Sequence, residues 1–181
     1  MTSGSVEAQS PPPVLVLGLG NELLGDDGFG PVLIREIERQ YRESSEVECL
    51  DGGTQGLALL GRISRRKTLI VLDALMTGQP PGTVSVFAGE DIFHRSSHRS
   101  TTAHEGNAGE LLAAARLLQE LPEQIFLVGM EPETVRTQLG LSKAVEDGLP
   151  TALERACQLI ECVRRELSLP GDAQAHSHTY A

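Results

Sequence analysis

Three short runs of β-favouring apolar residues occupy the first 75 positions, and an acidic residue closes each run or follows it in the next turn. They are VLVLG at 14–18, VECL at 47–50 and TLIVL at 68–72; Asp26 and Asp27 follow the first, Asp51 the second and Asp73 the third. Runs so apolar and so short suit strands covered on both faces. Helical spacing separates them. Phe29, Val32, Leu33, Ile37 and Tyr41 mark one face of a helix over 29–41, and a Leu-rich stretch over 55–63 predicts a short second helix. Strand–helix alternation of this kind builds a mostly parallel sheet with helices on both faces.

The second half continues the pattern. GTVSVFA at 82–88 alternates apolar and polar residues, which predicts an edge or antiparallel strand. Residues 90–102 are polar and are expected to form a loop. A helix is predicted over 106–120, with Leu111, Leu112, Ala115 and Leu118 inward, and a strand over 124–130 ends at Glu131-Pro132. Residues 142–167 carry a long helical pattern with a break at Gly148-Leu149-Pro150. The expected fold is an α/β domain around a mostly parallel five-stranded sheet, with the strand at 82–88 antiparallel. No internal repeat or long linker divides it. One domain over 13–168 is expected, with a flexible arm over 1–12 and a polar tail over 169–181.

Aromatic residues make up 3% of the chain and Trp is absent, so the core must rest on Leu, Val, Ile and Ala. The formal net charge of -10 repels phosphate backbones and anionic lipid, which argues against nucleic-acid and membrane partners. No apolar run approaches the roughly 20 residues of a membrane helix. The N-terminus has neither the basic nor the apolar region of a secretory signal, and a cytoplasmic protein is expected. Cys49, Cys157 and Cys162 are an odd number without close pairing and read as ordinary thiols rather than a disulfide framework.

Ligands of open α/β sheets bind outside the carboxyl ends of the strands. There the sequence places Asn21, Asp26 and Asp27 after the first strand, Asp51 after the second, Asp73 after the third and Glu131 after the last. His104 precedes a helix from which a loop can bring it to the same edge. Close carboxylates repel one another unless a cation offsets their charge, and an imidazole among them suits Zn, Cu, Fe or Ni. Three protein ligands would leave coordination positions open.

Plainer roles compete. Asp26 or Asp27 can cap the helix that follows or oppose its dipole, and one of the two suffices. Asp51 precedes Gly-Gly and suits a turn. His94 and His98 are four apart, as helical metal ligands can be, but lie among Arg and Ser; His176 and His178 sit in the polar tail. The Gly18-Leu19-Gly20 turn is no dinucleotide fingerprint: Leu23 stands where the third glycine belongs, and two aspartates oppose a pyrophosphate. No His-Glu-x-x-His helix and no Gly-x-Ser-x-Gly elbow is present.

The ordered segments GLGNELLGDDGFG (18–30), LDGGTQG (50–56), VLDAL (71–75), AHEGN (103–107) and LVGMEPE (127–133) resemble the hydrogenase maturation proteases over residues 14–163. The resemblance implies a three-layer α/β/α domain. It implies a metal bound by Asp27, Asp73 and His104, with Asp51 as the candidate for proton transfer or substrate contact and Gly52, Gly53 and Thr54 as candidate substrate contacts. The implied activity is an endopeptidase that removes the C-terminal extension of a nickel–iron hydrogenase large-subunit precursor after nickel insertion. The nickel would arrive with the substrate, although another divalent metal could occupy the site. A monomer is expected. The competing reading is a non-hydrolytic nickel-binding chaperone or checkpoint that uses the same ligands.

Overall fold

A computed structural model describes residues 10–96 and 108–169. Most of the expected arm and tail therefore lies outside the described residues, as do His98, His104, His176 and His178. Five strands form one sheet: β1 (Val14–Leu19), β2 (Val47–Gly53), β3 (Thr68–Ala74), β4 (Val84–Ala88) and β5 (Gln124–Met130). Their order is β2-β1-β3-β5-β4. The β1–β2, β1–β3 and β3–β5 pairs are parallel, and β4 pairs antiparallel with β5, as the alternation at 82–88 predicts.

The helices are α1 (Phe29–Tyr41), α2 (Leu60–Ile63), α3 (Glu90–Ser96), α4 (Ala108–Leu117) and α5 (Lys143–Ser168), with 3-10 turns at Asp26–Gly28 and Gly56–Leu59. Two apolar cores result, one on each face of the sheet. Along β1 the side chains alternate between them: Val14 and Val16 join Phe29, Leu33 and Ile160 on the α1/α5 side, whereas Leu15, Leu17 and Leu19 join Ile63, Leu111 and Leu112 on the α2/α4 side. That is the period of two of a strand buried on both faces, and it produces three layers.

Three local expectations change. The strands run further than the apolar runs suggest. Asp51, Gly52 and Gly53 belong to β2, and Asp73 and Ala74 belong to β3 because β5 continues to pair with them through Gly129 and Met130. Residues 90–96 form α3 rather than loop: the helix buries Ile92, and the Arg116 guanidinium both pairs with Glu90 at 2.9 Å and lies 4.6 Å over the Phe93 ring. Polar composition hid these tertiary contacts.

Finally, α5 does not break at Pro150. The proline lies on the exposed side of the helix, while Val145 and Ala152 on either side of it are fully buried. Gly148 packs where a Cβ would stand 2.6 Å from the Gly82 carbonyl oxygen and 2.9 Å from the Met130 methyl. Packing on the sheet holds the helix through a residue that would interrupt it in isolation. Ser142 caps it, its hydroxyl accepting the Val145 N–H at 3.3 Å.

Candidate functional site

The three parallel pairings put the carboxyl ends of β2, β1, β3 and β5 on one edge, in that order. The first motif brings α1 down onto that edge. A Cβ on Gly30 would stand 2.1 Å from the Leu19 carbonyl oxygen and 2.5 Å from that of Leu72. Only a residue without a side chain lets the first turn of α1 press on the ends of β1 and β3 together. Gly20, at φ 126°, has the Asp27 carbonyl oxygen 1.8 Å from where its Cβ would be. These two close approaches set Asp27, just before α1, beside Asp73, one residue past Leu72.

Asp27 and Asp73 are both buried. Asp27 Oδ2 accepts the Asn21 N–H at 2.8 Å, and Asp73 Oδ2 accepts the Ala108 N–H at 3.1 Å. Burial pushes the Asp73 carboxyl up to about 7; the Ala108 N–H works against this shift and the charge of Asp27 adds to it. Two carboxylates in low dielectric, each close enough to feel the other, present a donor pair whose charge a divalent cation would offset. Among the described residues no three His, Cys, Asp or Glu side chains gather into a metal-ligand set. The third residue nominated from the sequence, His104, lies outside the described residues; the described chain resumes four positions later, at the Ala108 N–H that bonds Asp73.

The remaining acids of the edge have other partners. Asp26, fully buried, caps neither the 3-10 turn nor α1. Its carboxylate accepts backbone N–H groups from Glu133 at 2.8 Å, Thr134 at 3.0 Å and Ser142 at 2.6 Å. It therefore holds the 131–142 connection against the first motif. Glu131 does the same for the connection after β3, accepting the Thr77 N–H and hydroxyl, both at 2.6 Å, and the Gly78 N–H at 3.1 Å. Those donors keep its carboxyl below the ordinary range although burial opposes them.

Asp51 is exposed and accepts its own turn's Gly53 N–H at 3.0 Å. It pairs in register with Gly18, which pairs in turn with Leu72. Two strand spacings, about 10 Å, thus separate it from the Asp73 end of β3, and the structure does not bring it into the Asp27–Asp73 pair. Gly52 is buried, with Leu17, Leu19 and Leu59 side chains filling the space of a Cβ; the Gly53 carbonyl accepts the Gly20 N–H at 3.0 Å; Thr54 is exposed. His94 is exposed on α3.

Arg35 escaped the sequence reading. From α1 it makes two 2.7 Å hydrogen bonds to the Glu22 carboxylate and also feels Asp51, so a cation stands on this acidic edge. Nothing in the local sequence links residues 13 apart, and only the fold makes the pair visible.

The comparisons agree with this architecture. A family model described as hydrogenase maturation protease matches residues 31–159, a segment that includes Asp73 and begins just after Asp27. The hydrogenase 2 maturation protease of Escherichia coli K12 is 35% identical over 143 residues, covering 78% of this chain and 87% of that protein. The hydrogenase expression/formation protein HupD of Thiocapsa roseopersicina is 33% identical over 153 residues, covering 84% of this chain and 69% of that protein. Among solved structures, the hydrogenase maturating endopeptidase HybD from E. coli superposes with a TM-score of 0.73 at 34% identity, covering 84% of this chain and 93% of that one. A NiFe hydrogenase maturation protease HybD from Thermococcus kodakarensis gives 0.62 at 28% identity, covering 81% and 97%.

Proposed function

The chain belongs to the hydrogenase maturation protease family, and from that premise we propose that it removes the C-terminal extension of a nickel–iron hydrogenase large-subunit precursor once nickel has been inserted. The observation that carries the reading is the buried Asp27–Asp73 pair, in which Asp73 is held well above the carboxylate range and close to neutrality. A pair so placed gains most from a cation that arrives from outside. Nickel carried by the precursor supplies that charge, and Asp27, Asp73 and His104 complete its coordination.

The chain's own residues then position the substrate. The Asn21 and Ala108 N–H groups each bind one oxygen of Asp27 and Asp73, which fixes both carboxylates before the substrate arrives. Fixing the metal fixes the bond to be cut relative to this edge, so positioning supplies part of the rate. When bound, the ion polarises the scissile carbonyl and activates water. Asp51, exposed and some 10 Å along the edge, is assigned in this reading to contact with the extended substrate rather than to work between Asp27 and Asp73. Another divalent metal could occupy the same ligands.

The test is incubation of purified protein with nickel-loaded and nickel-free precursor, with the C-terminal mass of each read out. Loss of a C-terminal peptide from the nickel-loaded form alone is the expected result. Tight nickel-dependent binding with both precursors left at full length would replace the protease reading with a checkpoint or chaperone.

A further inference from the structure

Seven large apolar side chains stand exposed among the described residues: Leu23, Leu57, Met76, Leu117, Leu118, Leu139 and Leu169. Four of them fall on the connections that leave the carboxyl ends of the four parallel strands. Leu57 (55% exposed) follows β2, Leu23 (60%) follows β1, Met76 (44%) follows β3 and Leu139 (79%) follows β5. Those connections leave the same sheet edge on which Asp27 and Asp73 lie.

Three of the four side chains, Leu23, Met76 and Leu139, are exposed on backbone that is pinned. Asp26 holds the connection bearing Leu139 through three N–H groups, and Glu131 holds the connection bearing Met76. The Gln138 N–H donates to the Leu23 carbonyl at 3.0 Å, and the Gly25 N–H to the Gln138 carbonyl at 2.9 Å, which joins the Leu23 and Leu139 connections side by side. Beside them lies a groove of about 240 Å³ lined in part by Val32, Leu141 and Leu149. Apolar groups displayed on fixed backbone lose little freedom when covered, which is what a binding surface requires. Two buried carboxylates, Asp26 and Glu131, accept the N–H groups that hold these connections.

We propose that Leu23, Leu57, Met76 and Leu139 form a pre-organised apolar rim on which the folded body of the precursor docks, so that affinity resides in this rim and not in the segment that is cut off. The inference rests on the processing role proposed above. The occupant follows from position: a polypeptide whose bond lies at Asp27 and Asp73 must cover the connections on which these side chains stand. Exposed Asp51 stands near the end of β2 and exposed Glu133 on the connection after β5, and Glu22 is paired with Arg35, so the matching surface carries apolar residues with basic ones opposite Asp51 and Glu133.

The test compares Met76→Ser/Leu139→Ser with Leu117→Ser/Leu118→Ser, which removes equally exposed apolar groups from the far end of α4. Calorimetry gives Kd for nickel-free precursor, and initial rates on nickel-loaded precursor give KM and kcat. The rim variant is expected to weaken Kd and raise KM at least about tenfold, with kcat within about twofold, while the α4 variant matches wild type. Unchanged Kd and KM in the rim variant, or equal losses in both variants, overturn the proposal. So does sedimentation showing that the rim variant loses self-association while its precursor affinity is unchanged, because the rim would then be a contact between copies. The two readings fail separately: precursor bound through the rim but never cut removes the protease, and cutting with an indifferent rim removes only the docking surface.

Discussion

Asp26 and Asp27, adjacent in the chain, serve different partners: Asp26 accepts three backbone N–H groups from residues 133–142, whereas Asp27 accepts the Asn21 N–H and lies within electrostatic reach of Asp73. One residue step turns one carboxylate into the fold's fastening and leaves the other for the site. The two therefore separate in experiment.

Asp26→Ala removes the acceptor of three amide donors, in hydrogen bonds that are buried for Ser142 and half-buried for Glu133 and Thr134. At roughly 1 kcal/mol each, the loss is about 3 kcal/mol. For a chain of this size that lowers Tm by roughly 6–12 °C, and processing falls because the 131–142 connection is released. Thermal denaturation followed by circular dichroism reads the first effect. A Tm within 2 °C of wild type would show that water replaces the carboxylate.

Asp27→Asn keeps the shape and an acceptor for the Asn21 N–H but removes the charge. Its expected stability is within about 1 kcal/mol of wild type, with processing of nickel-loaded precursor down by at least about 100-fold. Wild-type rates would remove Asp27 from the proposed ligand set.

Asp73 makes stability depend on pH. Its carboxyl moves from 3.8 unfolded to about 7 folded, so the folded state keeps a proton that the unfolded state has released. The stabilisation is complete below pH 3.8 and is lost as pH rises towards 7. In metal-free protein the loss from this group is at most about 4 kcal/mol. Asp73→Asn abolishes processing and removes that slope, so melting curves at pH 5 and pH 8 converge in the variant and diverge in wild type. Equal slopes in both proteins would assign the effect elsewhere.

Gly20→Ala forces a methyl into the space of the Asp27 carbonyl at a φ of 126°. The expected cost is at least about 2 kcal/mol, with a loss of processing beyond what the altered stability explains, since Asp27 itself is displaced. Activity per folded molecule, obtained by normalising rates to the folded fraction, is the deciding number.

Acid acts on the proposed site through protons. His104, ordinarily titrating at roughly 6.5, and Asp73 must both be deprotonated to bind a cation. Initial processing rates are expected to fall as pH drops below about 6.5. A flat profile from pH 5.5 to 8 would take His104 out of the ligand set.

Much of the fold was legible because burial on both faces leaves a local trace. The runs at 14–18, 47–50 and 68–72 are predominantly apolar, interrupted only by Glu48 and Thr68, and each is the start of an observed strand. The acids at the strand ends were legible as positions on the carboxyl edge, although not by role: Asp26 and Glu131 fasten connections and Asp51 bonds its own turn. Where the trace is not local the reading stopped short. Residues 90–96 look like loop until Arg116 arrives from α4, and Pro150 looks like a break until α5 is laid on the sheet. Asp26 and Asp27 are indistinguishable in sequence, since the three donors that claim Asp26 lie more than 100 residues away.

By itself, then, the order of residues determined the alternation of strands and helices, the parallel sheet, and which acids stand at its carboxyl edge, because periodicity and turn chemistry act over a few residues. Tertiary structure alone decided which acids meet. The Gly20 and Gly30 contacts press α1 onto β1 and β3 and set Asp27 beside Asp73. The strand order leaves Asp51 two strands away, and distant backbone donors claim Asp26 and Glu131. Distances of a few ångströms between groups remote in sequence set the electrostatics of a site, and only the folded chain fixes them.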